Sequence, residues 1–155
     1  MVKLDKIDLR ILTHLQANAR MTNAELAERV GLSPTPCLRR LRRLESEGVI
    51  KGYLTDVDRD VLGLPVTVII LVKLEKEDES SLRTFEQTIA ARPEVMECQL
   101  VTGKYDYFLR VVLPTLTAYE AFLSESLLRT ENIASIESSF TLREVTRKSI
   151  LPMPN

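Results

Sequence analysis

Thr22 to Gly48 reads TNAELAERVGLSPTPCLRRLRRLESEG, and its punctuation decides the first part of the chain. Thr22 with Glu25 three residues on is the signature of a capping box, in which hydroxyl and carboxylate satisfy each other's backbone amides at a helix start. Leu26, Ala27 and Val30 then share a face. Gly31 is the residue best able to take a left-handed conformation at a helix end, which lets the chain turn sharply. Ser33 is a good N-cap, and Pro34 stands at the first helical position, where its missing N–H costs nothing. The stretch is therefore predicted as two short helices set at an angle by a tight turn.

Stepping the second of these helices at about 100° per residue puts Cys37, Leu38, Leu41 and Leu44 in one arc and Thr35, Arg39 and Arg43 nearly opposite. One face packs, and the other carries cation. Between Arg29 and Lys51 there are six basic residues (Arg29, Arg39, Arg40, Arg42, Arg43, Lys51) against Glu45 and Glu47, in a chain of net charge −1. A helix fits the major groove, where arginine meets guanine edges bidentately and hydroxyls or arginines grip phosphate. An arginine run alone favours a solvated helix face. The capped helix, the Gly31 turn and the Ser-Pro start favour double-stranded DNA.

Working outward, Leu4, Ile7, Ile11, Leu12 and Leu15 recur at helical spacing and predict an amphipathic first helix ending near Gln16. His14 lies at the edge of that stripe and reads as a packing residue. After Gly48, VIKGYLTDV predicts a short ribbon or wing beside the helices, with Lys51 able to touch phosphate. DRDVLGLP, with Asp58 as a cap and Gly63 and Pro65 as punctuation, reads as a linker.

From Val66 the period changes. VTVIILVKL is predicted as a central strand, and EDESSLRTFEQTIAARP as a serine-capped helix with Leu82, Phe85 and Ile89 on one face. VMECQLVT and YDYFLRVVL form two strands about a turn at Gly103 and Lys104. A helix opened by a Thr117–Glu120 capping box comes next, with Tyr119, Phe122, Leu123 and Leu127 inward, and ASIESSFTLREV alternates as the last strand. The order βαββαβ is ferredoxin-like, two helices covering one sheet face. The other face, carrying Leu74, Val72 and Ile70 or their alternates, is too apolar for water, and a second copy of the chain is the simplest cover.

Composition agrees. With 155 residues, 45% hydrophobic and 28% charged, the chain is an ordinary globular sequence of one or two domains. Residues 1–60 carry 11 basic and 9 acidic side chains, residues 61–155 carry 10 and 13, so nucleic acid should meet the first part. Cys37 and Cys98 fall in different predicted domains and read as unpaired. Two thiols and one histidine are too few for structural zinc, so neither metal nor cofactor is expected. The longest apolar run, Val68 to Val72, is far short of the roughly 20 residues a bilayer span needs. The start MVKLDKIDLR has no apolar core of signal-peptide length. A cytoplasmic, nucleoid-associated location is expected. No catalytic triad, paired carboxylates or phosphate-cradling loop is visible, so an enzyme is disfavoured.

Two separated segments, GLSPTPCLRRLRRLESEGVIKGY and LVTGKYDYFLRV at 100–111, resemble the leucine-responsive/asparagine-operon (Lrp/AsnC) family of transcription regulators. The resemblance spans almost the whole chain. It implies an α+β architecture, with a winged helix-turn-helix domain over 1–50, a wing strand and linker over 51–65, and a ferredoxin-like domain over 66–155 for effector binding and oligomerisation. DNA contacts are expected from Thr22, Asn23, Ser33, Pro34, Thr35, Pro36, Arg39, Arg40, Arg42, Arg43 and Lys51. It further implies subunits pairing through their C-terminal domains, dimers assembling to octamers, and an amino-acid effector such as leucine, methionine or asparagine held around the hairpin turn. The residues carried over are Leu100, Thr102, Gly103, Tyr105 and Asp106, with Ser138 where relatives usually have threonine. From spacing alone, a plain glycine hairpin in which Asp106 caps its own turn is the simpler reading, and only the resemblance reverses it. Arg39 stands where some relatives have an acidic residue, so base preference cannot be borrowed. The alternative to an effector-responsive regulator is an architectural DNA-binding protein that senses nothing.

Overall fold

The structure, a computed structural model, describes residues 2–130, 132–148 and 150–153. Its contacts divide into two compact units, Met1–Asp56 with Val145–Asn155, and Val57–Glu144.

The first unit holds three helices, α1 (Lys6–Ala17), α2 (Asn23–Val30) and α3 (Pro34–Ser46). Asp5 caps α1, accepting from the Asp8 amide at 2.8 Å while the Asp8 carboxylate takes the Asp5 amide at 3.0 Å. The Thr22–Glu25 capping box forms as expected, and Gly31 ends α2 at φ 73°. Ser33 adopts the N-cap conformation of α3, but its hydroxyl makes no capping bond. Ile11, Leu26, Val30, Cys37 and Leu44 fill the centre, with Val49 and Ile50 packed beside them.

The ribbon expected over 49–57 carries no strand. Both the Val49 and Ile50 amides bond to the Leu44 carbonyl, closing α3, and among the described residues no strand pairs with residues 51–57. The chain's last residues were expected with the C-terminal domain and pack with the first unit instead. The Gln16 amide clasps the Leu151 backbone in both directions, at 2.7 and 3.3 Å, and Arg147 meets Asp56 at 3.4 Å.

In the second unit β1 (Val66–Leu74), α4 (Glu79–Ala90), β2 (Val95–Leu100), β3 (Tyr107–Leu113), α5 (Leu116–Phe122, prolonged by a π-helical turn, Leu123–Leu127) and β4 (Ile133–Phe140) succeed one another in βαββαβ order. The sheet runs β2-β3-β1-β4 with every pair antiparallel, so the apolar β1 is central, as its composition requires. Two helix starts differ from expectation. Asp78 caps α4, and Ser80 and Ser81 donate to it rather than capping. Three such bonds from the Ser80 hydroxyl and the Ser81 amide and hydroxyl hold the Asp78 carboxyl at about 2. Thr115, not Thr117, caps α5, accepting from the Ala118 amide at 3.1 Å.

Val68, Ile70, Val72 and Leu74 face α4 and α5 and are buried with Phe85, Ile89 and Phe122. The uncovered face is thus made by their alternates, Thr67, Ile69, Leu71 and Lys73, beside Phe108 and Arg110 of β3 and Glu137 and Ser139 of β4. It is mixed rather than apolar, with Ile69, Leu71 and Phe108 half-buried among polar neighbours.

Candidate DNA interface and effector groove

Helix α3 presents Thr35, Arg39 and Arg42 to solvent, and Lys51 is exposed beyond its end. Thr22 and Ser33 are exposed at the starts of α2 and α3, and the Asn23 amide nitrogen donates to the Pro34 carbonyl at 2.9 Å, tying the two starts together. Pro34 opens α3, and Pro36 is half-buried one turn from Arg39. The exposed Ser33 hydroxyl, which makes no capping bond, is a donor at the start of α3 that can reach phosphate.

Arg40 and Arg43 are placed differently from their neighbours. Arg43, expected to point outward, gives Nη2 to Asp8 Oδ2 at 2.5 Å, and Arg40 Nη1 meets Asp8 Oδ1 at 2.9 Å and Asp5 Oδ2 at 2.6 Å. The Asp8 side chain is only 1% exposed. The Asp8 amide, and then the Arg40 guanidinium, hold the Asp5 carboxyl below its usual value. Replacing Arg43 therefore breaks an ion pair to a buried carboxylate. Asp5 and Asp8 were not singled out in the sequence, although D-x-x-D before an apolar periodicity is itself a capping signal.

In the second unit Leu100, Thr102, Gly103 and Asp106 converge on one groove of about 480 Å³, which Lys73, Glu77, Leu82 and Val101 complete. Gly103 sits at φ 125°, a conformation closed to L side chains without strain, and no atom lies within 4 Å of where its Cβ would be. Asp106, 7% exposed, does not cap its own turn. Its Oδ2 accepts from the Leu74 amide at 2.7 Å, its Oδ1 from Lys73 Nζ at 2.8 Å, and its own amide donates to Val72 O at 2.9 Å. Burial pushes this carboxyl up, and the Lys73 ammonium and Leu74 amide more than offset that, so its pKa is lowered from 3.8. Lys73 also meets Glu77 at 2.7 Å.

Tyr105 and Ser138 stand apart from that groove. The Tyr105 hydroxyl donates to Glu137, which pairs with Leu71 on the uncovered sheet face. Ser138 lies opposite Ile70 on the helix side, its Oγ accepting from the Tyr119 hydroxyl at 2.7 Å, and it lines a separate hollow of about 440 Å³ with Leu123, Leu128 and Ile136. Lys73 and Glu77 were missed because nothing near them in sequence marks a site. Only the register of β1 against the 100–106 turn brings them there.

Residues 67–151 match the Lrp/AsnC ligand binding domain, and residues 4–51 match a winged helix-turn-helix DNA-binding domain. The chain belongs to the Lrp/AsnC family. Its relatives include the Bkd operon transcriptional regulator of Pseudomonas aeruginosa, 44% identical over 153 residues (99% of this chain, 100% of that protein), and the leucine-responsive regulatory protein of Rhizobium meliloti, 40% identical over 144 residues (93% and 92%). Among solved structures it is similar to a Neisseria meningitidis transcriptional regulator in complex with L-Met, with TM-score 0.91 and 36% identity over 97% of each chain. Like other Lrp/AsnC proteins it is a DNA-binding regulator with a ligand-binding domain, and the α+β fold expected from its sequence is the family's. Among the described residues no helix is long and apolar enough to cross a membrane.

Proposed function

We propose that this Lrp/AsnC regulator reads a specific operator with α3 and changes its assembly and DNA binding when a free amino acid occupies the groove around Gly103. The observation that carries the reading is the charge pattern of that groove. A free amino acid is a zwitterion, and the groove offers a cation at Lys73, carboxylates at Glu77 and Asp106, an uncovered backbone at Gly103, and apolar walls at Leu82 and Leu100. Asp106 already serves Lys73 and Leu74, so the more accessible Glu77 is the better acceptor for the ligand's ammonium group, with Lys73 and the turn amides for its carboxylate. The solved relative carries L-Met, which supports an amino acid as the ligand class. Leucine, methionine and asparagine are the first to try. Tyr105 and Ser138 would act from outside the groove, Tyr105 through the uncovered sheet face.

On the DNA side, Arg39 and Arg42 with Thr35 are placed to read bases, while Thr22, Asn23, Ser33, Pro34, Pro36 and Lys51 surround them for the backbone. Residues 51–65 serve as linker between the DNA-binding and effector-binding parts. The uncovered sheet face, with Ile69, Leu71 and Phe108 half-buried, supports pairing with a second copy and assembly of dimers toward octamers. A dimer presents two recognition helices at the spacing of about 34 Å that a two-fold site requires. The protein acts by binding, without catalysis, in the cytoplasm and on the nucleoid.

Calorimetry against each of the twenty amino acids, with sizing and gel-shift titration on selected and random duplexes, tests this. One amino acid should bind, change oligomer size or stability, and alter affinity for the selected duplex, because a ligand shifts only states it binds unequally. Absence of binding by every amino acid, with DNA binding intact, would favour the architectural alternative.

A further inference from the structure

The two acidic residues beneath the recognition helix belong to neither site above. Asp8 is fully buried, and through its two oxygens it holds Arg43 Nη2 at 2.5 Å and Arg40 Nη1 at 2.9 Å. Asp5 brings a second carboxylate to the same Arg40 nitrogen at 2.6 Å. Arg43 Nε is buried without a hydrogen-bond partner among the described residues, with Glu47 3.8 Å away. Arginine reads guanine or grips phosphate through a fork of two N–H groups, and the Nε–Nη2 fork of Arg43 is turned into the protein. Two carboxylates thus offset two guanidiniums on this helix. Arg39 and Arg42, on the same helix, have no carboxylate within ion-pair distance among the described residues.

We propose that Asp8, assisted by Asp5, is a positioning residue for DNA reading: it withholds Arg40 and Arg43 from DNA, so that Arg39 and Arg42 do the reading and sequence-independent grip is held down. The proposal rests on α3 being the DNA-reading helix, and its test separates the two ideas. Positive charge without direction raises affinity for every sequence alike, which lowers the ratio of specific to non-specific binding. A buried acid that binds two of four arginines is a means of avoiding that.

The number of phosphates engaged is read from salt dependence, since log K falls against log salt with a slope of about −0.9 per phosphate. Full-length wild type, Asp8→Asn, Arg43→Ala and the double variant are titrated across KCl concentrations against a random-sequence duplex and one selected from a random pool by the wild type. Asp8→Asn, which keeps an acceptor for the Asp5 amide, should steepen the slope on random DNA by ~1 and lower the selected-to-random ratio by ~10-fold. Arg43→Ala alone should leave the slope unchanged, and in the Asp8→Asn background it should remove the gain. Glu28→Gln, which removes an exposed charge from α2, controls for net charge and should not reproduce the effect.

A merely structural Asp8 would lower the melting temperature with both affinities falling in parallel at constant slope, and that result overturns the proposal. So does a flatter slope in Arg43→Ala alone, which would mean Arg43 already sits on phosphate. If Asp8→Asn does not fold, Asp5→Ser keeps an N-cap hydroxyl and removes one of the two carboxylates that hold Arg40, leaving it on Asp8 alone and Arg43 untouched. Its slope should steepen by a smaller amount, and an unchanged slope overturns the proposal. Unchanged binding in both Arg39→Ala and Arg42→Ala would remove α3 from the interface and overturn the underlying reading with it. Losses there combined with a wild-type slope in Asp8→Asn would overturn only the withholding role.

Discussion

Asp8 and Asp106 are both buried carboxylates that hold a cation, one in each unit, and they hold it on different terms. Asp8 sits in the first turn of α1 and binds two guanidiniums from another helix, 32 and 35 residues away. Asp106 sits at the foot of β3 and binds one ammonium and one backbone amide of the neighbouring strand. The first contact fixes side chains on a reading surface, and the second fixes backbone register beside a groove. In both, a charge needed at a site is part of what keeps the fold intact. The difference is in what each carboxylate carries: Asp106 divides its oxygens between one cation and one amide, whereas Asp8 holds two guanidiniums besides the Asp5 amide, and without it Arg40 keeps Asp5 while Arg43 keeps only Glu47 at 3.8 Å.

Removing the carboxylates should expose that difference, with the larger effect at Asp8. Asp8→Ala leaves Arg40 with Asp5 alone and Arg43 with only Glu47 at 3.8 Å, and deletes half of the α1 capping box. Breaking a buried pair this way costs about 3–5 kcal/mol. The lower end, ~3 kcal/mol, is expected because Arg40 and Arg43 remain 27% and 40% exposed. Urea unfolding monitored by helical circular dichroism measures it, and a loss below ~1 kcal/mol would mean the pair behaves like a surface one.

Asp106→Ala should cost less, ~2 kcal/mol, the usual penalty for leaving a buried amide such as that of Leu74 without its acceptor. Lys73 keeps Glu77 and is 33% exposed to water, so its charge adds little. Faster hydrogen exchange should appear at Leu74 and at the Asp106 amide, which donates to Val72. Protection unchanged at both would show that the strand pairing, and not the carboxylate, fixes this corner.

The same contrast separates arginines that read from arginines that support. Arg42→Ala should weaken binding to a selected duplex by ~1 to 3 kcal/mol while leaving the unfolding midpoint in place. Arg43→Ala should do the reverse, lowering the midpoint with little change in DNA affinity per folded molecule. Equal losses of DNA affinity in the two variants would erase the distinction between them.

Features legible in the sequence and features hidden in it divide along the same line. The Thr22–Glu25 box, the Gly31 turn, the apolar stripe of α3 and the βαββαβ order are each written within a few neighbouring residues, and each forms. The outward direction given to Arg43 fails because helical angle fixes where a side chain starts, while a carboxylate on another helix decides where a long one ends. Lys73 and Glu77 enter the groove, and Tyr105 and Ser138 leave it, through strand register. Register is set by pairing across the whole sheet and has no local signature. The Val49–Asp56 segment carries β-branched residues but finds no strand to pair with among the described residues of its own chain, so propensity alone did not make it one.

The smallest effect is also the most direct reading of Asp106 as an ion. Asp106→Asn keeps an oxygen for the Leu74 amide and removes the negative charge facing Lys73, so the loss at neutral pH should be only about 1 kcal/mol. Its acid limb carries the information. The Asp106 carboxyl is depressed below 3.8 in the folded chain, so the unfolded state takes up a proton before the folded one does. The stabilisation it gives is present above the unfolded pKa, and it is lost as pH falls through the folded value. Asparagine cannot titrate, so the gap between wild type and Asp106→Asn should be constant down to the ordinary carboxylate range and then shrink toward zero in acid. Other carboxyls that titrate there, including Asp5 and Asp78 with their own depressed values, are present in both proteins and cancel in the difference. Urea midpoints for the two proteins at matched pH values give the curve. A gap that does not change in acid would show that the Asp106 charge contributes nothing to stability and that its hydrogen bond to Leu74 accounts for the whole of its role.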